Sequence, residues 1–151
     1  LRVIRDLVAF ESVGKGTDLA ASLTYAVRLL NHRSIVVILS DFLAPNWERP
    51  LQRLAGRHEA VAVTVDDPRE RALPPSGWLD LQDAESGRRV MIDAGNREVR
   101  GRLASLAERR AEERRRSLAA AGVDHVALVT GQDYALPLRR AFALRARRQR
   151  R

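Results

Sequence analysis

The chain contains no cysteine. That excludes a disulfide scaffold, zinc–thiolate sites, iron–sulfur clusters and a cysteine nucleophile. It fits a reducing compartment, so the expected location is cytoplasmic. Long apolar runs are also missing. The longest purely aliphatic stretch is Ile35–Leu39, far below the ~20 residues that span a bilayer. No basic-then-apolar leader follows Leu1, so no targeting signal is read there. Lysine is nearly absent. Lys15 is the single one among 27 basic residues, and the rest are arginines. Aromatic residues make up only 5%, and none interleave with the arginine-rich stretches as base-stacking would require.

What is present fits one globular domain. The chain has 151 residues, 45% hydrophobic and 30% charged, which lies outside the disordered regime. The net charge is +8, and it is concentrated toward the C-terminus. Seven arginines and no acid lie between Arg139 and Arg151. Eight arginines against Glu98, Glu108, Glu112 and Glu113 lie between Arg97 and Arg116. One reading is a patch for nucleic acid or an anionic membrane. The other is a solvated helix face with a basic tail, and the missing aromatics favour it.

Hydrophobic spacing sets the elements. Leu1, Ile4, Leu7 and Val8 recur at helical intervals. The glycine-bearing loop Glu11–Gly16 breaks that pattern. Thr17 and Asp18 are capping types for a helix running to about Asn31. Ser34–Leu39 is β-branched and short, which predicts a parallel strand buried on both faces. Pro45 and Asn46 open a helix with Trp47, Leu51 and Leu54 on one face, stopped near Gly56. Glu59–Val65 reads as a second strand, ended by Asp66–Asp67–Pro68. Trp78–Leu81 and Arg88–Asp93 alternate around Glu85–Ser86–Gly87, the pattern of a hairpin. Gly95 to about Ala121 is a long arginine-rich helix stopped at Gly122. His125–Thr130 is a third strand, and Asp133 caps a last helix.

Such alternation builds an α/β fold, a parallel sheet with helices on both faces and a small β-hairpin insertion. With no strand before Ser34, the order resembles part of a doubly wound, Rossmann-like sheet whose first strands are missing. The expected unit is a single domain, 1–151, with an open apolar edge at Ser34–Leu39. Such an edge recruits another chain, so a homo-oligomer through it is expected.

In an open α/β sheet, ligands bind at the carboxyl ends of the strands. Thr17, at the start of the helix feeding the first strand, and Asp41, at that strand's end, are expected to converge there. A hydroxyl facing a carboxylate suits a hard divalent cation. Equally, Thr17 is a cap type and Asp41 a turn type. Asp66, Asp67 and Asp133 end the other strands on the same edge. Gly14–Lys15–Gly16–Thr17 fails the Walker pattern, because a glycine separates Lys15 from Thr17. His32 and His58 precede strands and are expected at the surface. His125 starts a strand, at the edge away from the proposed site. Ser40 lacks the flanking glycines of a nucleophile elbow. Trp47 and Trp78 read as packing residues.

Gly16–Thr17–Asp18–Leu19–Ala20 followed by Val37–Ile38–Leu39–Ser40–Asp41–Phe42 resembles the second and third metal-site segments of von Willebrand factor A domains. More specifically, the chain resembles the bacterial "domain of unknown function" family numbered fifty-eight. The segments that carry this are Leu1–Leu7, Gly14–Asp18, Ser40–Leu43, Asp67–Glu70, Leu73–Pro74 and Asp133–Tyr134. The resemblance implies a metal-ion-dependent adhesion site (MIDAS) to which Thr17 and Asp41 contribute. It also implies Mg2+ as the cofactor and a MoxR-type AAA+ ATPase as the protein partner. The family's first metal segment, Asp-x-Ser-x-Ser, appears nowhere in the chain. Metal binding by this segment is therefore expected to be weak or absent, and fuller in a longer protein, which could also carry a membrane tether.

The function expected from these observations is a non-enzymatic protein-interaction module, since no general base or activated nucleophile is evident. The alternatives are a metal-dependent phosphoryl-transfer enzyme or nuclease using the strand-end aspartates, and a basic nucleic-acid-binding domain.

Overall fold

The structure, a computed structural model, describes residues 2–9, 16–83 and 87–148. The elements run α1 (Arg2–Ala9), α2 (Leu19–Leu29), β1 (Ile35–Leu39), α3 (Glu48–Arg57), β2 (Glu59–Asp66), α4 (Pro68–Arg71), β3 (Trp78–Gln82), β4 (Arg89–Asp93), α5 (Arg97–Ala120), β5 (Asp124–Val129) and α6 (Ala135–Arg148). The expected loop around Glu11–Lys15 and the turn residues Glu85 and Ser86 lie outside the described residues.

Local chemistry explains most boundaries. Asp18 caps α2, its carboxylate accepting the Ala21 N–H at 2.8 Å. Asp67 accepts the Arg69 N–H at 2.8 Å, and Pro68 supplies the fixed φ of a first helical turn, so a one-turn helix follows β2. Asn96 caps α5 through the Glu98 N–H at 2.8 Å, and Asp133 accepts the Ala135 N–H at 2.9 Å to start α6. Gly56 lies inside α3 rather than ending it; His58 closes that helix by donating its N–H to the Leu54 carbonyl at 2.8 Å. Gly122, with φ of +70°, takes the left-handed conformation that ends α5.

The parallel sheet has the order β1-β2-β5. Ile35 lies opposite Glu59 and Leu39 opposite Val63, while Val61 lies opposite Asp124 and Asp66 opposite Val129. The antiparallel pair β3–β4 forms a separate two-stranded sheet. Alternation gives the central strand two buried faces. Ala60 and Ala62 pack with Leu19 and Leu23 of α2, Leu51 and Leu54 of α3, and Leu118 of α5. Val61 and Val63, with Val126 of β5, pack under Leu138 and Ala141 of α6.

Three expectations of burial need correction. β1 is not buried on both faces. Ile38 is 9% exposed, but Ile35, Val37 and Leu39 are 59%, 52% and 69% exposed, because α6 covers β2 and β5 and leaves β1 bare on that face. His58 is buried at 5% exposure, since it sits in the one-residue junction between α3 and β2. His32 is exposed as expected. Trp47 packs at 4% exposure, whereas Trp78 stands 67% exposed at the start of β3.

Candidate functional site

The carboxyl ends of β1, β2 and β5 lie side by side, and α5 runs past them. Beyond β1 the chain makes a tight, locked loop. The Ser40 hydroxyl accepts the Phe42 N–H at 3.0 Å. Phe42 takes a positive φ of 57°, a strained choice for a bulky residue. Packing supports it: Phe42 is 5% exposed and meets Trp47 edge to face with centroids 5.0 Å apart. The Trp47 indole N–H also donates to the Phe42 carbonyl at 3.2 Å. This loop holds Asp41 exposed, its carboxylate accepting the Leu43 N–H at 3.0 Å.

Arg114 of α5 joins the strand ends. Its guanidinium donates to the Asp41 carbonyl at 3.0 Å and to the Asp66 carboxylate at 2.8 Å. Arg114 and Asp66 side chains are only 12% and 13% exposed. Asp41, Leu43, Asp66, Glu70, Arg110 and Arg114 line a cleft of about 430 Å³. Asp41 and Asp66 thus share one cleft through a common arginine. Thr17 stands exposed immediately before the cap of α2 and is not among the lining residues of that cleft. Asp67 and Asp133 are occupied as helix caps.

His125 was expected away from this edge, yet it is electrostatically coupled to the cluster. β5 starts two residues up β2, so His125 lies opposite Ala62. Its Nε2 lies 3.0 Å from the hydroxyl of fully buried Thr64. Its pKa is lowered from 6.5, first by burial and then by the Arg114 charge, against a raising effect of Asp66. Arg114 was missed because it is one arginine among many; His125, read correctly at a strand start, meets Thr64 only through strand stagger.

The donor set can be tested against the implied cation. A hydroxyl and one exposed carboxylate are oxygen ligands of the kind Mg2+ accepts. Asp66 is committed to Arg114. Among the described residues no group of three or more His, Cys, Asp or Glu side chains is arranged to hold a metal. Asp41 is thus the one expected metal residue that lines the cleft, while Thr17 lies outside its lining.

The sequence profile of a family described as "Protein of unknown function DUF58" matches residues 1–114. The chain belongs to this family. Within DUF58, it is 39% identical over 125 residues to an uncharacterised protein of Mycobacterium avium, covering 81% of this chain and 72% of the relative. It is 41% identical over 133 residues to uncharacterised proteins of Mycobacterium bovis and Mycobacterium tuberculosis, covering 86% of this chain but 41% of each relative. The DUF58 chain thus spans less than half the length of the latter two. No solved structure matches it. The family match takes in α1 through most of α5, including Arg114. Among the described residues, no helix is long and apolar enough to cross a membrane.

Proposed function

We propose that this DUF58 chain is a non-enzymatic protein-interaction module. In this reading it resembles part of a von Willebrand A domain, and its carboxyl edge contributes Thr17 and Asp41 to a metal-ion-dependent adhesion site. The observation that carries the reading is the mounting of Asp41. An exposed carboxylate sits on a rigid, strained loop beside a cleft, held by packing and by Arg114. Strain of that kind persists where the surroundings over-determine it, and it concentrates at functional sites.

Mg2+, bound through Asp41, the Thr17 hydroxyl and water, would supply an electron-poor centre that accepts a carboxylate from a partner. The proposed partner is a MoxR-type AAA+ ATPase, in keeping with the family resemblance, and the proposed setting is cytoplasmic. The nuclease alternative is less well supported. Asp66 is neutralised by Arg114, and Asp67 and Asp133 cap helices, which leaves few free carboxylates for two metals.

Calorimetry of Mg2+ binding tests the reading, on this chain and on a full-length mycobacterial relative, each beside the variant lacking the Asp41 carboxylate (D41A here). Tighter binding by the longer protein, and its loss on removing that carboxylate, is expected. Equal affinity with and without it removes Asp41 from the site. Turnover of labelled DNA or RNA with Mg2+ or Mn2+ would restore the enzymatic alternative.

A further inference from the structure

The amino ends of the strands carry a second feature, remote from Asp41. Where α2 leads into β1 and α3 leads into β2, the chain forms a pocket of about 530 Å³. Among the described residues its walls come from within 27–33 and from 57–58, so it does not depend on the open edge of β1. The lining contains Arg28, Arg33, Arg57, His32 and His58, and no acid. Arg33 is paired with Glu59 at 3.6 Å. Arg28 and Arg57 are exposed and make no ion pair among the described residues.

His58 is the unusual member. It forms part of the wall although it is only 5% exposed, which puts it at the closed end. Neither ring nitrogen has a hydrogen-bond partner. An imidazole always carries at least one N–H, and leaving that donor buried and unmade destabilises the fold. The helix ends explain the arginines only in part. Arg28 and Arg57 stand in the last turns of α2 and α3, where a cation meets the negative end of the helix dipole. Each would do that alone, and it gives no reason for an unpartnered imidazole in the same pocket.

We propose that this pocket holds the phosphate group of a small molecule, either a phosphomonoester or free phosphate. Two unpaired guanidiniums match the nearly two negative charges that such a group carries near neutral pH, and their forked donors match its oxygens. A carboxylate carries one charge and is served by one fork. His58 supplies an N–H at the closed end, and exposed Asn31 adds an amide donor. The volume exceeds that of a phosphate alone, and Val27 and Leu30 make part of the wall apolar, so the organic group of an ester has room. Both arginines stay open to solvent, so the affinity is modest, with a dissociation constant of roughly 0.1–1 mM.

Calorimetry with inorganic phosphate, at fixed ionic strength in a buffer otherwise free of it, tests this. Saturable binding is expected. Arg28→Gln and Arg57→Gln, at exposed positions that leave the core intact, should each weaken it about tenfold, the loss of one charge-assisted hydrogen bond. Arg53→Gln removes an exposed charge from the same helix as Arg57 but outside the pocket, and should weaken it less than about twofold. His58→Leu separates binding from packing. It should lose phosphate binding and yet, without phosphate, unfold at the same or a higher urea concentration than wild type, because an unpartnered polar group has been replaced by an apolar one. Phosphate at about twenty times its dissociation constant should raise the wild-type urea midpoint by roughly 0.9 M. The His58→Leu midpoint should gain only the general effect of phosphate on folded proteins. Adenosine monophosphate distinguishes the sources: binding tighter than phosphate assigns a phosphomonoester, and equal or weaker binding assigns free phosphate. Absence of saturation by about 20 mM phosphate overturns the proposal. So does equal weakening by Arg53→Gln and Arg57→Gln, or wild-type affinity in His58→Leu.

Discussion

Replacing Arg114 with methionine removes the link between the ends of β1 and β2. The Arg114–Asp66 pair is nearly buried, at 12% and 13% exposure, so the loss leaves Asp66 as an uncompensated charge in a poorly solvated place. Breaking one partner of such a pair costs about 3–5 kcal/mol. The bond from Arg114 to the Asp41 carbonyl, 3.0 Å long, adds about 1 kcal/mol. Residual solvent access at both side chains argues for the lower end, about 4 kcal/mol in all. That is a large share of the 5–15 kcal/mol of a typical domain. The net worth of the intact pair is smaller, since Arg114 Nε is buried without a hydrogen-bond partner. Removing both charges, Arg114→Met with Asp66→Asn, should therefore recover about half of the loss. Urea titration followed by tryptophan fluorescence measures this. Trp47 is buried against Phe42 and reports the transition, while exposed Trp78 contributes a flat background. With a slope of about 2 kcal/mol per molar urea, the single variant should unfold about 2 M earlier. If the single and double variants lose the same stability, the buried charge is not what Arg114 compensates, and the argument fails.

Stability should also depend on pH through His125. Its pKa is lowered in the fold, so between the folded value and the ordinary 6.5 the unfolded chain binds more protons. The contribution is complete above about pH 6.5 and is lost as the pH falls. Denaturation midpoints at pH 7.5 and 5.5 should differ less in His125→Gln than in wild type. Leu118→Ala, at 0% exposure where α5 meets the sheet, should cost about 3 kcal/mol and lower the melting temperature by about 9 °C. Asp18→Ala should cost about 1 kcal/mol by leaving the Ala21 N–H uncapped, read in the same urea titration.

Element types were legible in the sequence because they rest on local rules. The pattern of the apolar residues separated the strand Glu59–Val65 from the helix before it. Asp18 and Asp133 marked helix starts by side-chain chemistry that acts over two or three residues, whereas Asp66–Asp67–Pro68 read only as a strand end and the single turn α4 that Asp67 caps was not expected. Asymmetry of burial was not legible. β1 reads as IVVIL whether both faces are covered or one, and its exposure follows from where α6 lies. For the same reason His58 looked like a surface residue: nothing local says that the junction between α3 and β2 is only one residue long and sits under the sheet. Asp41 could be nominated from its position after a strand. Its lock could not, because Arg114 is 73 residues away and one of eight arginines in its stretch.

The arginine excess therefore has to be divided before it is given a function. Arg114 clamps the carboxyl edge of the sheet. Arg145 clamps the opposite edge, donating to Glu59 at 3.0 Å, to Asp124 at 3.0 Å and to the Ala60 carbonyl at 3.3 Å, and it too is only 12% exposed. Each fixes a basic helix to the sheet by a planar, multi-donor head that a lysine lacks. Arg102 and Arg116 are engaged by Glu98 and Glu112 along α5 itself. A polyanion site needs arginines that converge on one face and are free to move to phosphates. Here the arginines with the most structural definition point into the fold, at both ends of the strands. That arrangement favours a basic composition that serves to mount α5 and α6 on the sheet rather than to bind a polyanion.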